Sequence, residues 1–255
     1  LATEAAPAST ATAPLPAGSF YVGFTSGSTG LPKGFVRSHR SWVESFSACI
    51  QAFGPATSST ILAPGRLAHS LSLFGALLSL WTGGGVRLQP QFRAGAPVQT
   101  LAHGGAQALI PTPSQLILML EQAQRQGPRV VEATRLVMIG GASWPRSRTP
   151  DLRALFPNAR VVEFYGASET SFVAWVDSRP DLPPPAVGRP FPGVEVRIDA
   201  CGSDQIDGVI HVRSPMVFTG YVTPEPTTGP GALLPDGEWL SVGDMGHLDA
   251  QGVLH

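Results

Sequence analysis

Thr25-Ser26-Gly27-Ser28-Thr29-Gly30-Leu31-Pro32-Lys33-Gly34 is the stretch on which the reading of this chain turns. Hydroxyls and glycines crowd ahead of a proline, a lysine and a further glycine, and Phe20-Tyr21-Val22-Gly23-Phe24 before them has the pattern of a short buried strand. A backbone leaving a strand into glycines can turn successive N–H groups inward as a concave nest for an anion. Hydroxyls add donors, and one ammonium supplies a point charge suited to a polyphosphate. Taken alone, such a Gly/Ser/Thr cluster also reads as a flexible surface loop. Lys33 shifts that balance, because it is the only lysine in a chain with 17 Lys+Arg. The stretch is therefore read as a loop that holds phosphate. It does not fit the Walker A pattern, G-x-x-x-x-G-K-[ST]. Counted from Gly27, the second glycine position falls on Pro32, and Gly34 follows Lys33.

The remaining composition narrows the class. A chain of 255 residues can form one large domain or two small ones around a sizeable core. A formal net charge of -1 gives no footprint for nucleic acid or for an anionic membrane surface. Cys49 and Cys201 are far apart and lack metal-ligand spacing, which points to a reduced, cytoplasmic protein. Leu71 to Trp81 is mostly apolar but too short to span a bilayer, so no membrane span is expected. Residues 1–18 are rich in Ala, Pro, Thr and Ser, with neither a basic region nor an apolar block, and read as linker or disordered chain. The sequence starts on Leu1 and stops at His255 inside a strand-like pattern. A fragment of a longer polypeptide is expected.

Along the chain, Trp42, Phe46, Cys49, Ile50 and Phe53 recur at helical spacing, with Ser41 and Glu44 as an expected capping box and Gly54-Pro55 as the stop. Strands are expected at 60–63, 86–88, 106–110, 136–139 and 160–164. Helices are expected at about 70–81 and 97–103, from Thr112-Pro113 to Gly127, and at about 147–156. This alternation, with continuous apolar strands, predicts an α/β fold: a mainly parallel sheet with helices on both faces over residues 19–176. After the proline-rich 178–185, alternating Val194, Val196 and Ile198 predict a small β-rich subdomain over 177–255. In parallel sheets, ligands sit outside the carboxyl ends of the strands. Loops beginning at Thr25, Gly140 and Tyr165 each follow a predicted strand and are expected to line one crevice.

Glu169 follows a buried strand in Tyr165-Gly166-Ala167-Ser168-Glu169-Thr170. A carboxylate beside a phosphate site calls for a hard cation, of which Mg²⁺ is the usual one. Alone, it also reads as an N-cap or a solvated loop acid. Asp244, in Ser241-Val242-Gly243-Asp244-Met245-Gly246, offers two oxygens to a ribose diol, or is simply a turn aspartate. His69 precedes the apolar helix, where a lone histidine is as often structural as functional.

The ten residues from Thr25 closely resemble the phosphate-binding signature of the adenylate-forming (ANL) superfamily, which holds acyl-CoA synthetases, luciferases and peptide-synthetase adenylation domains. Tyr165 to Glu169 resembles its second signature, with Ser168 where threonine is usual, and Gly243-Asp244 its third, with Val242 in place of threonine. Gly140-Gly141-Ala142 is similar to the adenine-contacting loop. Gly208 to Tyr221, after Gly188-Arg189-Pro190, is similar to the connecting motif. His69 matches a histidine near the acyl pocket of many acyl-CoA synthetases. The resemblance implies a partial N-terminal domain of that fold. It places Lys33 and the hydroxyls of Ser26, Ser28 and Thr29 on the β- and γ-phosphates, with Thr25, Gly27 and Gly30 in the same nucleotide-binding loop, Ser168 on the α-phosphate, and Glu169 on Mg²⁺. Tyr165 and Gly166 would lie against adenine, and Asp244 against ribose. The implied activity joins a carboxylic acid to CoA, or to a carrier protein's phosphopantetheine, through an acyl adenylate made from ATP. The alternative is a nucleotide-binding remnant without catalysis. A further lobe before the loop, an arginine after Asp244 and a C-terminal domain with a catalytic lysine belong to the family pattern and fall outside this sequence.

Overall fold

The computed structural model describes residues 15–26, 32–89, 91–127, 129–183, 186–200, 206–222 and 239–255. Its first strand, β1 (Ser19–Ser26), pairs antiparallel with β2 (Pro32–Ser38). Helix α1 (His39–Phe53) follows at once. The next elements are β3 (Ile61–Ala63), α2 (Ser70–Trp81), β4 (Val86–Leu88), α3 (Gly95–Ala102), β5 (Ala108–Leu109), α4 (Pro113–Arg125) and β6 (Leu136–Ile139). Helix α5 (Thr149–Leu155), β7 (Arg160–Ala167), β8 (Ser171–Asp177) and β9 (Arg189–Pro190) complete the large sheet and its cover. The seven-stranded order is β4-β3-β5-β6-β7-β8-β9. Pairings from β4 to β7 are parallel, and β7–β8 and β8–β9 are antiparallel.

Strand periodicity divides the core. Successive side chains point to opposite faces, so Leu136 and Met138 join Trp42, Phe46, Cys49, Phe74 and Leu78 of α1 and α2. Val137 and Ile139 instead join Val98, Leu101, Leu116, Met119, Leu120, Leu152 and Leu155 of α3, α4 and α5. Helices cover both faces, as the continuous apolar strands predict. Two smaller sheets stand beside this one. β10 (Glu195–Ala200), β11 (Gly208–Arg213) and β13 (Met245–Gly246) form one, in the order β10-β11-β13. β12 (Gly220–Tyr221) adds to β2 to make the other, β1-β2-β12.

Four expectations need correction. β1 lies outside the parallel sheet: with Thr25 opposite Lys33, it forms a hairpin whose connection is the expected phosphate loop. Helix α1 begins one turn earlier than expected, and its cap is Ser38, whose hydroxyl accepts from Ser41 N at 3.1 Å. Ser41 is instead buried, donating to the Ser38 carbonyl at 2.9 Å. The stretch 147–156 divides into a 3₁₀ turn, Arg146–Arg148, and the shorter α5, with Pro150 in the first turn, where a missing N–H costs nothing. Finally, Tyr165, Gly166 and Ala167 are not turn residues. β7 runs on through them and folds back as β8, with Ala167 N donating to Thr170 Oγ1 at 2.9 Å to close the turn.

The two-faced core predicts a contrast within α4. Leu116 is fully buried against the sheet, whereas Leu118 is 47% exposed. Leu116→Ala is expected to lower unfolding free energy by about 2–5 kcal/mol. Leu118→Ala should stay within about 0.5 kcal/mol. Denaturant titration of both variants checks this; equal effects would mean that α4 packs on another face.

Candidate functional site

The site lies where β6 and β7 end. Ile139 pairs in parallel with Glu163, so Gly140 stands beside Phe164. A Cβ at position 140 would lie 2.2 Å from the Phe164 ring, so only glycine lets the ring lie there. Gly141 has φ +86°, a left-handed conformation that bulkier residues avoid. Beyond Phe164, a bulge between Tyr165 and Gly166 re-aims the strand, as bulges do. A Cβ on Gly166 would lie 1.8 Å from the carbonyl oxygen of Ser171, itself at φ 60°. Backbone strain in a non-glycine residue at such a place is characteristic of functional sites.

Two cavities open on either side of these residues. The first, ≈ 270 Å³, is walled by aromatic rings, among them Trp42, Phe74, Phe164 and Phe172, together with Arg37 and Ser168. The second, ≈ 330 Å³, is lined by Ala142, Ser143, Trp144, Arg146, Glu163 and Tyr165 among others. Gly141, Phe164 and Gly166 belong to both. In the second, Arg146 meets Glu163 through a two-pronged ion pair, Nε to Oε1 at 3.1 Å and Nη2 to Oε2 at 2.9 Å. The same guanidinium donates to the carbonyls of Pro183 and Ala186, so this buried charge pair is satisfied.

The expected site residues are found at the following places. Gly140, Gly141 and Ala142 form the strand-end loop described above. The Tyr165 hydroxyl donates to Asp244 Oδ2 at 2.6 Å. Burial first, and then the neighbouring Asp244 carboxylate, push that phenol's pKa up, so it remains a neutral donor. Ser168 Oγ lies 3.4 Å from Ser70 Oγ, at the start of α2. Glu169 is buried, and its Oε1 accepts from the Tyr221 hydroxyl at 2.8 Å. The Tyr221 phenol is likewise raised, by burial first and then by Glu169. Lys33 Nζ lies 5.6 Å from the Tyr221 ring centroid. Pairing of Tyr221 with Phe35 thus brings the lysine of the phosphate loop and the expected metal carboxylate around one tyrosine. His69 is exposed at the N-cap of α2 without a capping side-chain bond; it lines neither cavity, although the next residues, Ser70 and Leu71, line the first. Gly27, Ser28, Thr29 and Gly30 lie outside the described residues, as do the side chains of Thr25 and Ser26.

Two residues were missed. Tyr221 was read only as the end of a motif, and nothing in its spacing marks a partner far away in sequence. Arg37, on a cavity wall and 5% exposed, was passed over, although an arginine after Phe35-Val36 in a strand with apolar neighbours was a signal. Among the described residues, no cluster of three or more His, Cys, Asp or Glu could hold a metal. A single buried carboxylate with one oxygen occupied by Tyr221 fits a Mg²⁺ ion delivered on phosphates, not a protein cage. No described helix is long and apolar enough to cross a membrane.

A family profile described as AMP-binding enzyme matches residues 2–222. An uncharacterised acyl-CoA ligase of Bacillus subtilis, YhfT, is 36% identical over 245 residues, 92% of this chain and 47% of that protein. A putative long chain fatty acid-CoA ligase of Staphylococcus epidermidis, VraA, is 32% identical, covering 94% of this chain and 50% of its own length. The solved amide bond synthetase McbA from Marinactinospora thermotolerans superposes with TM-score 0.79 at 32% identity, over 94% of this chain and 49% of that one. The chain thus spans about half the length of each.

The Gly140–Phe164 contact makes a prediction. Gly140→Ala should destabilise the protein by about 1–3 kcal/mol, because the added methyl meets a ring already packed against Phe172. In combination with Phe164→Ala, the alanine at 140 should cost much less than it does alone, giving a non-additive double-mutant cycle. Additive effects would show that the two residues do not crowd each other.

Proposed function

Because the chain belongs to the AMP-binding enzyme family, we propose that the protein activates a carboxylic acid with ATP and transfers the acyl group to a thiol. In the first step, a carboxylate oxygen bonds to the α-phosphorus and the bond to pyrophosphate breaks. In the second, a thiol of CoA or of a carrier-protein phosphopantetheine attacks the acyl carbon, loses its proton and expels AMP. The observation that carries this reading is the pair of cavities meeting at Gly141, Phe164 and Gly166. A nucleotide in the polar cavity and an acid in the aromatic one would abut where the bond must form, so that proximity supplies much of the rate.

On this reading Lys33, with the loop from Thr25 to Gly30, takes the β- and γ-phosphates, and Ser168, at the mouth of the aromatic cavity, takes the α-phosphate. Gly140, Gly141, Ala142, Tyr165 and Gly166 frame the adenine, and Asp244 takes the ribose. Glu169 would hold Mg²⁺, which supplies charge neutralisation on the phosphates. ATP, CoA and an unpaired Cys49 thiol fit a cytoplasmic protein.

Lys33→Ala removes the chain's only ammonium, and its ATP affinity should fall roughly ten- to a hundredfold by calorimetry. Glu169→Gln keeps the shape but not the charge, and should flatten the dependence of ATP affinity on Mg²⁺. Identical Mg²⁺ titrations for both proteins would make Glu169 a structural partner of Tyr221 alone. Acid-dependent exchange of labelled pyrophosphate into ATP tests the reaction itself. Binding of ATP without exchange, across short, aromatic and long-chain acids, would leave a nucleotide-binding protein without this catalysis.

A further inference from the structure

Arg37 is a buried charge without a counter-charge. It is 5% exposed, and among the described residues no carboxylate pairs with it. Its partners are neutral: Nε donates to Ser41 Oγ at 3.0 Å, and Nη2 to Ser41 O and Ser45 Oγ, both at 3.1 Å. Nη1 has only the Ser168 carbonyl, at 3.5 Å, which is too long for a good bond. The guanidinium stacks over Trp42, 5.5 Å from its centroid, on the wall of the aromatic cavity. Burial lowers its pKa from 12.5 to about 10, which still leaves it protonated at neutral pH. The contrast with Arg146 is instructive, since that buried guanidinium has Glu163 for its charge and two carbonyls for its remaining donors.

An unpaired buried cation is costly. On a cavity wall, with Nε and Nη2 committed to Ser41 and Ser45 and Nη1 left nearly unbonded, it has one nitrogen open to an anion. Of the residues proposed for adenine, Ala142 and Tyr165 line only the other cavity, whereas Arg37 lines only this one, next to the Ser168 proposed for the α-phosphate, so the guanidinium stands on the acid side of that serine. An alkyl tail filling the cavity would strip the remaining water from the guanidinium and return nothing. The rings of Trp42, Phe74, Phe164 and Phe172 favour edge-to-face contact with an aryl frame. At ≈ 270 Å³ the cavity lies at the small end of ligand pockets, which run roughly from 300 to 1,000 Å³.

We propose that Arg37 binds a second carboxylate on the acid, and that the substrate class is compact aromatic dicarboxylic acids. This assignment rests on the acid-activating reading above. One carboxylate faces the nucleotide beside Ser168, and the other pairs with Arg37.

The test uses the polypeptide as its gene encodes it, with size-matched acids: terephthalate against 4-methylbenzoate, 1,4-phenylenediacetate against 4-methylphenylacetate, and decanoate as an alkyl monoacid. Pyrophosphate exchange should favour each diacid over its matched monoacid in kcat/KM by roughly ten- to a hundredfold, the worth of a charged pair. Arg37→Gln should collapse that ratio towards one, with the loss in KM, and Arg37→Lys should keep part of it. Direct calorimetry of each acid, in the presence of ATP, should rank them in the same order. It decides the Arg37 assignment even if no exchange occurs, so the two failures are read separately. Preference of the unmodified protein for monoacids overturns the assignment however the variants fold. So does an Arg37→Gln variant that loses diacid and monoacid turnover in equal proportion, which would place Arg37 on the reacting carboxylate or in a purely structural role.

Discussion

The ring of Phe164 occupies the space in which residue 140 would carry a side chain, and the arrangement of the site depends on that contact. Parallel pairing of Ile139 with Glu163 fixes the register, so Gly140 has no alternative neighbour. The ring is held from the other side by Phe172, centroid to centroid 5.0 Å and nearly perpendicular. Phe172 in turn stacks on Phe191 and meets Phe74 edge-on, which ties the contact into the core beneath α1 and α2. Close-packed interiors transmit such constraints, because no ring can shift without displacing the next. Phe164 thereby becomes the rigid partition between an aromatic cavity and a polar one.

Much of this was readable in the sequence. The apolar runs at 61–63 and 136–139 mark strands buried on both faces, and Thr112-Pro113 fixes the start of α4, where Thr112 and Gln115 form a reciprocal cap. The adjacent glycines at 140 and 141 were visible as a loop, but not their separate reasons: one is demanded by a ring from the neighbouring strand, the other by its backbone angle. Local pattern failed wherever pairing over long distance decides. Ser38 and Ser41 are interchangeable caps in sequence. Ser38 is chosen because β2 extends to it, held on one edge by β1 and on the other by β12, nearly two hundred residues on. The same pairing takes β1 out of the parallel sheet, since a strand with an antiparallel partner on hand needs no crossover. Arg37 carries a partial signal, an arginine after Phe35-Val36 in a strand, but nothing local says whether such a side chain faces solvent or a cavity.

The buried charges are treated unequally. Arg146 and Glu163 satisfy each other on the wall of the polar cavity and are already complete. Buried Glu169 and exposed Asp244 are each held by one phenol, and here the fold uses a symmetrical device. Tyr165, on the large sheet, reaches Asp244 next to the small β10-β11-β13 sheet, while Tyr221, on the small β1-β2-β12 sheet, reaches Glu169 next to the large one. Both phenols are raised by burial and stay protonated, so each is a fixed neutral donor that orients a carboxylate without cancelling its charge.

That device limits what the two carboxylates can accept. Among the described residues, Oδ1 of Asp244 and Oε2 of Glu169 take no other hydrogen bond, while Oδ2 and Oε1 are shared with the phenols. On the proposed ribose role, a vicinal diol at Asp244 would have one oxygen open to it and the other held by Tyr165 at 2.6 Å. On the proposed metal role, Glu169 would have one oxygen left for a cation, which suits an ion that keeps most of its ligands on phosphates and water. The two phenols also tie the sheets together: Tyr165–Asp244 links the large sheet to the segment that leads into β13, and Tyr221–Glu169 links β12 to the turn that follows β7.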